Sequence, residues 1–201
     1  MPQETKLVAP TPGAITEIAR KFRKGLYLQT FTLPNGQPID WAFWEGEKGR
    51  PLPAMILALT PENEVIYLRQ YRFAAMEFII EVPGGCAEEG ESAEETILRE
   101  FHTETGYQPK HVQELTSSSI FFEPVSLRTG YRAFLATDCE KVGEPQFEET
   151  EIAEVLTIPF REWMALILRG EVRDDKNHAL TLLALPHLGF KLFSPDGQSV
   201  W

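Results

Sequence analysis

The sequence predicts a mixed α/β (α+β) protein, and three observations support this fold class. Short apolar-rich runs bounded by turn residues, which are typical of strands, outnumber the helical segments. One segment, Ala93–Thr105, carries both a helix start signal and a helix stop signal. Two segments near the C-terminus have apolar residues at helical spacing. Helices placed between and after strands indicate a mixed sheet covered by helices.

Turn chemistry and apolar runs place the individual elements. We expect residues 1–12 to form a loose arm and Ile15–Phe22 to form a short helix. Pro34-Asn35-Gly36 predicts a tight turn, because Asn and Gly tolerate positive φ. The predicted strands are Leu26–Thr32, Ile39–Trp44, Ala54–Thr60, Val65–Tyr71, Glu77–Val82, Val112–Phe122, Tyr131–Ala136 and Ile152–Ile158. The predicted C-terminal helices are Pro159–Leu168 and Asp175–Leu185.

The central helix is the best-defined element. Ser92 is its predicted N-cap, and the interval from Ser92 to Glu95 has the spacing of a capping box. Gly106 suits the left-handed residue that closes a helix.

The charged stretch Glu45–Pro53 contains Gly and Pro and indicates a domain border. We therefore expect residues 1–50 to form an N-terminal arm and β-hairpin element. Residues 51–201 are then expected to form the main domain.

Composition and charge restrict the function. The chain has 201 residues, a formal net charge of -11 and no basic stripe, so nucleic acid is not an expected partner. A small anionic ligand fits if a metal ion bridges the repulsion. Cys86 and Cys139 lie outside any C-x-x-C pair, which predicts reduced thiols. With no signal pattern at Met1–Pro12 and no apolar run of about 20 residues, we expect a cytoplasmic protein without membrane contact.

Carboxylates are concentrated around the central helix, with eight glutamates between Glu81 and Glu104. Glu100 and Glu104 are four apart and share a helix face beside the apolar residues Ile97 and Phe101. Like charges at this spacing repel each other, and unpaired carboxylates that face inward are costly. A hard cation such as Mg²⁺ would relieve both costs and could still receive a phosphate, whereas a solvated acidic face is the alternative.

The residues around this pair follow a longer pattern. Gly85 is followed after five residues by Glu91, and after seven more by Arg99-Glu100-Phe101-His102-Thr103-Glu104-Thr105-Gly106-Tyr107. This resembles the Nudix hydrolase signature, which reads glycine, five residues, glutamate, seven residues, Arg-Glu-apolar-any-Glu-Glu-any-Gly-apolar. The box covers Gly85–Tyr107, and weaker similarity extends over much of the chain on both sides.

The resemblance implies a Nudix-like α/β/α sandwich with a mixed sheet, which cleaves the diphosphate of a nucleoside diphosphate linked to another moiety. Glu100 and Glu104 fall on metal-ligand positions, and Gly84 falls where relatives give a backbone carbonyl to the metal. The implied cofactor is Mg²⁺, with Mn²⁺ as a substitute. The positions implied to support the motif structurally are Gly85, Glu91, Arg99 and Gly106.

Thr103 departs from the signature, which has a glutamate there. The change removes one of three clustered carboxylates, so we expect fewer or weaker metal sites, with an inactive enzyme as the alternative. The threonine hydroxyl could still hold a metal-bound water.

The flanking segments are similar to the ADP-ribose pyrophosphatase branch of this family. The similar segments are Arg69–Arg72, Glu77–Gly85, and Gly170–Val172 with Asp174 and Asp175. In that branch Arg72 matches an arginine that contacts the substrate, and Trp41 lies where a relative stacks adenine. An exposed ion pair is the alternative for Arg72, and a core position is the alternative for Trp41, with Trp44 as its competitor.

One feature of the branch is missing from this chain. Relatives usually carry Ser-Pro-Gly after the strand that follows the box, with an acid soon after. The corresponding stretch Phe122–Gly130 keeps only Pro124 near its place and has Arg128 where an acid is usual. A nucleotide sugar, such as an ADP-sugar, or another dinucleoside diphosphate therefore stays open beside ADP-ribose.

A general base is expected from an acidic loop outside the box. Glu151 is the choice, because Glu151–Val155 resembles the loop-to-strand pattern of the branch. The competing carboxylates are Glu148, Glu149 and Glu154.

Two functions follow from the sequence. The first is a metal-dependent diphosphatase that releases a nucleoside monophosphate and a sugar phosphate. The second is a nucleotide-binding or regulatory module that has kept the fold and lost turnover. The N-terminal strands resemble a segment that relatives exchange between subunits, so we also expect a homodimer.

Overall fold

The computed structural model describes residues 7–21, 24–46 and 51–190. The chain divides into two compact units. The first contains the described residues up to Gly46 together with Phe121–Gly130, and the second contains Pro51–Ile120 and the described residues from Tyr131 onward. Among the described residues, no helix has the length and apolar character that a bilayer crossing requires.

The first unit is an antiparallel sheet with the strand order β1-β2-β3. Its strands are β1 (Thr11–Lys21), β2 (Lys24–Thr32) and β3 (Pro38–Gly46). The helix predicted over Ile15–Phe22 is wrong, because its described part belongs to β1; Phe22 itself lies outside the described residues. Pairing with β2 from Thr11 to Lys21 supplies backbone hydrogen bonds that outweigh a weak helical preference.

A tight turn joins β2 to β3, as the sequence predicts. Leu33 and Gln37 are joined by a backbone hydrogen bond of 2.8 Å, and Gly36 has a φ of 85°. The segment Phe121–Gly130 runs along β3 in the same unit, where the N–H of Trp44 donates to the carbonyl of Ser126.

The second unit is built on a mixed sheet. The strands of this unit are β4 (Ala54–Leu59), β5 (Glu64–Arg72), β6 (Glu77–Glu81), β7 (Gly84–Gly85), β8 (Tyr107–Gln108), β9 (His111–Glu114), β10 (Ile120–Phe121, whose last residue belongs to the first unit), β11 (Gly130–Thr137, whose first residue belongs to the first unit), β12 (Glu140–Lys141) and β13 (Ala153–Pro159). Strands β8 and β12 form a separate two-stranded sheet, and the other eight form the mixed sheet. Strands β11 and β4 run parallel, whereas β4–β5, β5–β6 and β5–β13 are antiparallel.

Helices cover both faces of this sheet. They are α1 (Ala93–Thr105), α2 (Phe160–Leu168) and α3 (Asp175–Ala184). Ile66 of β5 packs in one core cluster with α1, while its neighbour Tyr67 lies against Trp163 of α2. Because successive side chains of a strand point to opposite faces, α1 and α2 lie on opposite sides of the sheet. The predicted mixed α/β architecture is confirmed.

One predicted strand is split in the structure. The run Val112–Phe122 contains β9 and β10, and Thr116–Ser118 bends between them, where the hydroxyl of Thr116 donates to the carbonyl of Ser118 at 2.7 Å. Hydroxyl side chains compete with strand pairing for backbone groups, which accounts for the interruption.

Candidate active site

Two glycines bring the sheet close to the C-terminal half of α1. A Cβ atom on Gly85 would lie 2.2 Å from the carboxyl carbon of Glu100. A Cβ atom on Gly84 would lie 2.6 Å from the carbonyl oxygen of Ala54 on the neighbouring strand. Only glycine fits this approach, so the backbone of β7 passes directly beside the carboxylates of the helix.

Glu104 is the more buried of the two helix carboxylates, with 7% of its surface exposed. One of its oxygens accepts a hydrogen bond of 3.0 Å from the N–H of Gly84. Burial raises the pKa of this carboxyl to about 8, and the charges of Glu100 and Glu151 add to the increase. The free carboxylate is therefore costly at this position, and a bound cation would offset that cost.

Glu100 lies one turn before Glu104, with 20% of its side chain exposed. An oxygen of its carboxylate is 3.0 Å from Nη1 of Arg99. Burial raises the pKa of Glu100, while Arg99 acts in the opposite direction and the charge of Glu151 adds to the rise. The charge of Glu151 therefore acts on both helix carboxylates.

Glu91 holds the loop that leads into α1. Its two carboxylate oxygens accept from Arg99, at 2.7 Å from Nε and 2.9 Å from Nη2. The N–H of Glu88 and the hydroxyl of Thr96 also donate to it, at 2.7 and 3.1 Å. These bonds, led by the pair with Arg99, lower the pKa of Glu91 to about 2. Every group it contacts belongs to the loop or the helix, so it acts as a brace for both.

Gly106 closes α1 in the left-handed conformation, with a φ of 75°. Its N–H donates to the carbonyl of His102, and its own carbonyl accepts from Val142 and Gly143. A Cβ atom here would lie 2.2 Å from the carbonyl oxygen of Gly143. This position therefore requires glycine for both its backbone conformation and its space.

Arg72, at the end of β5, is bound to Glu81 of β6. Nε and Nη2 of Arg72 both donate to one oxygen of Glu81, at 2.8 Å from Nε. Burial would lower the pKa of Arg72, but Glu81 and the nearby Glu104 and Asp174 raise it overall. Because 48% of the side chain stays exposed, the guanidinium can bind an anion beside Glu104 while Glu81 fixes its position.

The competing loop acids differ in what they contact. The carboxylate of Glu151 accepts from the N–H of Glu148 at 2.8 Å, and its charge acts on Glu100 and Glu104. Glu154 lies on the face of β13 opposite to that of its neighbour Ala153, and its carboxylate pairs with Arg69 at 2.9 Å. Glu148 and Glu149 are exposed in the turn. The geometry brings Glu151 to the helix carboxylates and directs Glu154 away from them.

The oxygen atoms at this position suit a hard divalent cation. Within the described residues, no three Asp, Glu, His or Cys side chains gather into a metal cluster. A cation would therefore take oxygens from the pair Glu100 and Glu104 and from the adjacent backbone at Gly84, and would keep several waters. Mg²⁺ characteristically binds in this way, through one or two carboxylates.

Thr103, which replaces a signature glutamate, is half-buried, and its carbonyl accepts a hydrogen bond of 2.7 Å from the N–H of Gln146.

The comparisons with known proteins agree with this arrangement. The model of the NUDIX domain matches residues 49–180. The chain belongs to the Nudix family. An ADP-ribose pyrophosphatase of Bacillus subtilis is 30% identical over 167 residues, which cover 83% of this chain and 85% of the relative. An ADP-sugar pyrophosphatase of Mus musculus is 28% identical over 193 residues, covering 86% and 84%.

A solved structure described as an ADP compounds hydrolase shares the fold. It superposes with a TM-score of 0.77 at 19% sequence identity, over 91% of this chain and 96% of that one. The predicted Nudix-like sandwich is therefore confirmed. The prediction of a Nudix-type pyrophosphatase is confirmed as well, at the level of family and reaction type.

Trp41 of this Nudix protein belongs to the first unit. Its indole is 46% exposed, and the indole N–H donates to the carbonyl of Val125 at 2.8 Å. The alternative of a core tryptophan is therefore wrong. Trp44 is similarly exposed, at 43%. The guanidinium of Arg128 lies 3.7 Å from the centre of the Phe43 ring, so its positive charge makes a cation–π contact within the first unit.

The sequence interpretation missed the role of Glu81. Arg72 and Glu81 are nine residues apart on neighbouring strands, with a short connection between them. An antiparallel hairpin of this length brings such positions onto one face. An arginine and a glutamate at these positions of a predicted hairpin could therefore have predicted the ion pair between Arg72 and Glu81.

Proposed function

We propose that this Nudix protein hydrolyses the diphosphate linkage of ADP-ribose or a related ADP-sugar and releases AMP and a sugar phosphate. The observation that carries the proposal is the pair Glu100 and Glu104 held against the glycines of β7, where Glu104 is buried and accepts from the N–H of Gly84. The charges of Glu151 and Arg72 also act on Glu104. Acids that share a buried position need a cation, and a diphosphate needs both a cation and an arginine.

Each residue has a distinct part in this reaction. Glu100, Glu104 and the carbonyl of Gly84 would hold Mg²⁺ or Mn²⁺, which neutralises phosphate charge and makes bound water more acidic. Arg72, fixed by Glu81, holds the diphosphate. Glu151 accepts the proton of the water that attacks phosphorus, because its carboxylate lies near the metal-binding acids without belonging to the helix.

The choice of an ADP compound rests on the relatives and on one aromatic side chain. Two relatives are named for ADP-ribose and ADP-sugars, and they match more than four fifths of this chain. Trp41 offers an exposed indole, and stacking an adenine on such a ring contributes roughly 1–3 kcal/mol.

The test is nucleoside monophosphate release from a panel of compounds, with Mg²⁺, with Mn²⁺ or with chelator. ADP-ribose, ADP-glucose and diadenosine diphosphate would release AMP, and GDP-mannose would release GMP. We expect turnover of the ADP compounds that depends on the cation. Glu104→Gln should lower kcat/KM by more than about 100-fold, because metal assistance contributes several kcal/mol.

Glu94→Gln is the matched control, since Glu94 lies exposed on the first turn of the same helix. Wild-type rates in Glu104→Gln would contradict the assignment of the metal ligand. Equal losses in both variants would show that the helix, and not the site, had been disturbed.

A binding or regulatory module is the second candidate, and Thr103 is the observation that favours it. In that case no compound turns over, but one of them raises the Tm. Thr103→Glu restores the signature acid. If the protein is an enzyme, turnover of this variant should stay within about tenfold of wild type, and its activation by the divalent cation should occur at a lower cation concentration. A dead variant would mean that the site depends on threonine.

We also propose that the protein is a cytoplasmic homodimer. In support, β1 exposes all of its residues along 11 positions and pairs only with β2 in the described part of the chain. A long edge strand presents unpaired backbone N–H and C=O groups with which the strand of a second chain can pair. Light scattering should give twice the mass of one chain, and a monomer at micromolar concentration would exclude this assembly.

A further inference from the structure

Gln70 of β5 carries a polar group that has no hydrogen-bond partner among the residues that the structure describes. The residue is 5% exposed, and its side-chain oxygen Oε1 is buried without a hydrogen bond. Leaving a buried acceptor unsatisfied destabilises the folded protein, because the group loses its hydrogen bonds to water on burial. A group this costly in the middle of a strand suggests a ligand.

The side chain of Gln70 lies on the face of the sheet that carries the active-site acids. Ile66, four residues earlier on β5, packs against Ile97 and Phe101 of α1. Arg72, two residues later, reaches Glu81. Because alternate residues of a strand share a face, Gln70 points to the same side as both of these neighbours.

Along this face Gln70 lies two residues further into the sheet than the phosphate-binding side chain Arg72 and the proposed base Glu151. Its partner across the β5–β13 pair is Ala153, and Glu151 precedes Ala153 by two residues. The pairing continues past Ala153, since the N–H of Tyr71 donates to the carbonyl of Ile152 at 2.9 Å. Gln70 is thus flanked by Arg72 along its own strand and by the start of the strand that follows Glu151.

The side-chain oxygen of Gln70 requires a hydrogen-bond donor. An amide oxygen only accepts hydrogen bonds. An ionised diphosphate has no donor to offer, and Arg72 already donates to Glu81. The partner is therefore a hydrogen-bond donor that the described residues do not supply, and an O–H group of the attacking water or of the sugar would meet this requirement.

We propose that Gln70 positions the attacking water. Its amide oxygen accepts one O–H of the water, and Glu151 takes the proton of the other O–H as the water oxygen bonds to phosphorus. The bridging P–O bond breaks, and its electron pair leaves with the departing phosphate. This inference rests on the proposed function and adds a positioning residue to it.

Gln70→Met tests the inference, because methionine keeps the length of the side chain and removes its hydrogen bonding. The substrates are ADP-ribose and the methyl ester of ADP, which has no sugar beyond the diphosphate. We expect kcat to fall about 10- to 100-fold on both, with KM nearly unchanged, as for a misplaced reactant. The Tm should equal or exceed that of the wild type, because an unpaired buried amide is removed.

Gln113→Met is the matched control, since Gln113 is exposed on β9, and it should leave kcat and Tm unchanged. An unchanged kcat in Gln70→Met would overturn the inference. So would a rise in KM confined to ADP-ribose, which would assign Gln70 to a sugar hydroxyl. A Tm lower by more than about 4 °C, equivalent to about 1 kcal/mol or more, would show that the amide supports the fold.

Failure of the proposed function gives a different result. If the wild type hydrolyses no compound, the proposed function fails and the proposed water role of Gln70 fails with it. If the wild type is active and Gln70→Met matches it, only the inference fails.

Discussion

Single atoms decide how closely α1 approaches the sheet. Side chains at Gly84 or Gly85 would collide with the neighbouring strand or with Glu100. The absence of two Cβ atoms is what allows a backbone N–H to reach the carboxylate of Glu104. The glycines of the sequence signature are therefore required for steric reasons. They leave room for the paired acids of α1 to lie directly against the backbone of β7.

Glu91→Gln tests, at the residue scale, how much the hydrogen bonds of Glu91 to the loop and to α1 contribute to stability. The folded-state pKa of Glu91, about 2, lies below the ordinary value of 4.5. The carboxylate therefore stabilises the fold above pH 4.5, and this contribution is lost as the pH falls from about 4.5 towards about 2. At neutral pH the variant should lose about 2 kcal/mol, which is typical of hydrogen bonds to a charged group.

Urea unfolding of both proteins along a pH series measures the effect. The stability difference between wild type and Glu91→Gln should shrink as the pH falls through this window. Glu89→Gln, in the same loop and exposed, should show no such difference. If the difference in unfolding free energy between the two proteins stays constant down to pH 3, the charge of Glu91 does not contribute to stability.

At the scale of elements, α1 is fixed at both ends by its own sequence. The hydroxyl of Ser92 accepts from the N–H of Glu95, and the carboxylate of Glu95 accepts from the N–H of Ser92 at 2.8 Å. Gly106 closes the other end. Local capping of this kind does not depend on distant parts of the chain, so the predicted range Ala93–Thr105 agrees with the observed helix.

Ser92→Ala tests the contribution of the cap. Loss of the hydroxyl should lower the free energy of unfolding by about 1 kcal/mol, because the N–H of Glu95 then has no protein acceptor. Thermal or urea unfolding measures it, with Ser117→Ala in an exposed bend as the control. Stability equal to that of the control would mean that tertiary packing alone holds the start of α1.

At the scale of the whole molecule, the acids store electrostatic repulsion that a cation should relieve. Glu100 and Glu104 are both shifted towards protonation by burial. A ligand that binds only the folded state stabilises it by about 2.7 kcal/mol at 100 times its Kd. Mn²⁺ or Mg²⁺ should therefore raise the Tm of the chelator-treated wild type by several degrees.

The same measurement on variants locates the cation. The shift in Tm should disappear in Glu104→Gln and persist in Glu94→Gln. An equal shift in all three proteins would place the cation elsewhere on this acidic molecule, whose net charge of -11 offers nonspecific sites.

The sequence by itself determined the features that depend on neighbours in the chain. These are α1 with its caps, the glycines that precede it, the paired acids on one face, and most strands of the second unit. Each is encoded by periodicity or by turn chemistry within a few residues, and that information needs no tertiary structure.

Only the tertiary structure decided which distant side chains meet. It paired Arg72 with Glu81, directed Glu151 rather than Glu154 to the helix acids, and left the amide of Gln70 unsatisfied. It also made a strand of the segment from Thr11 to Lys21, where the sequence indicated a helix. The physical reason is the same in each case: strand register and long-range contacts depend on pairing between separate segments, which local propensity does not specify.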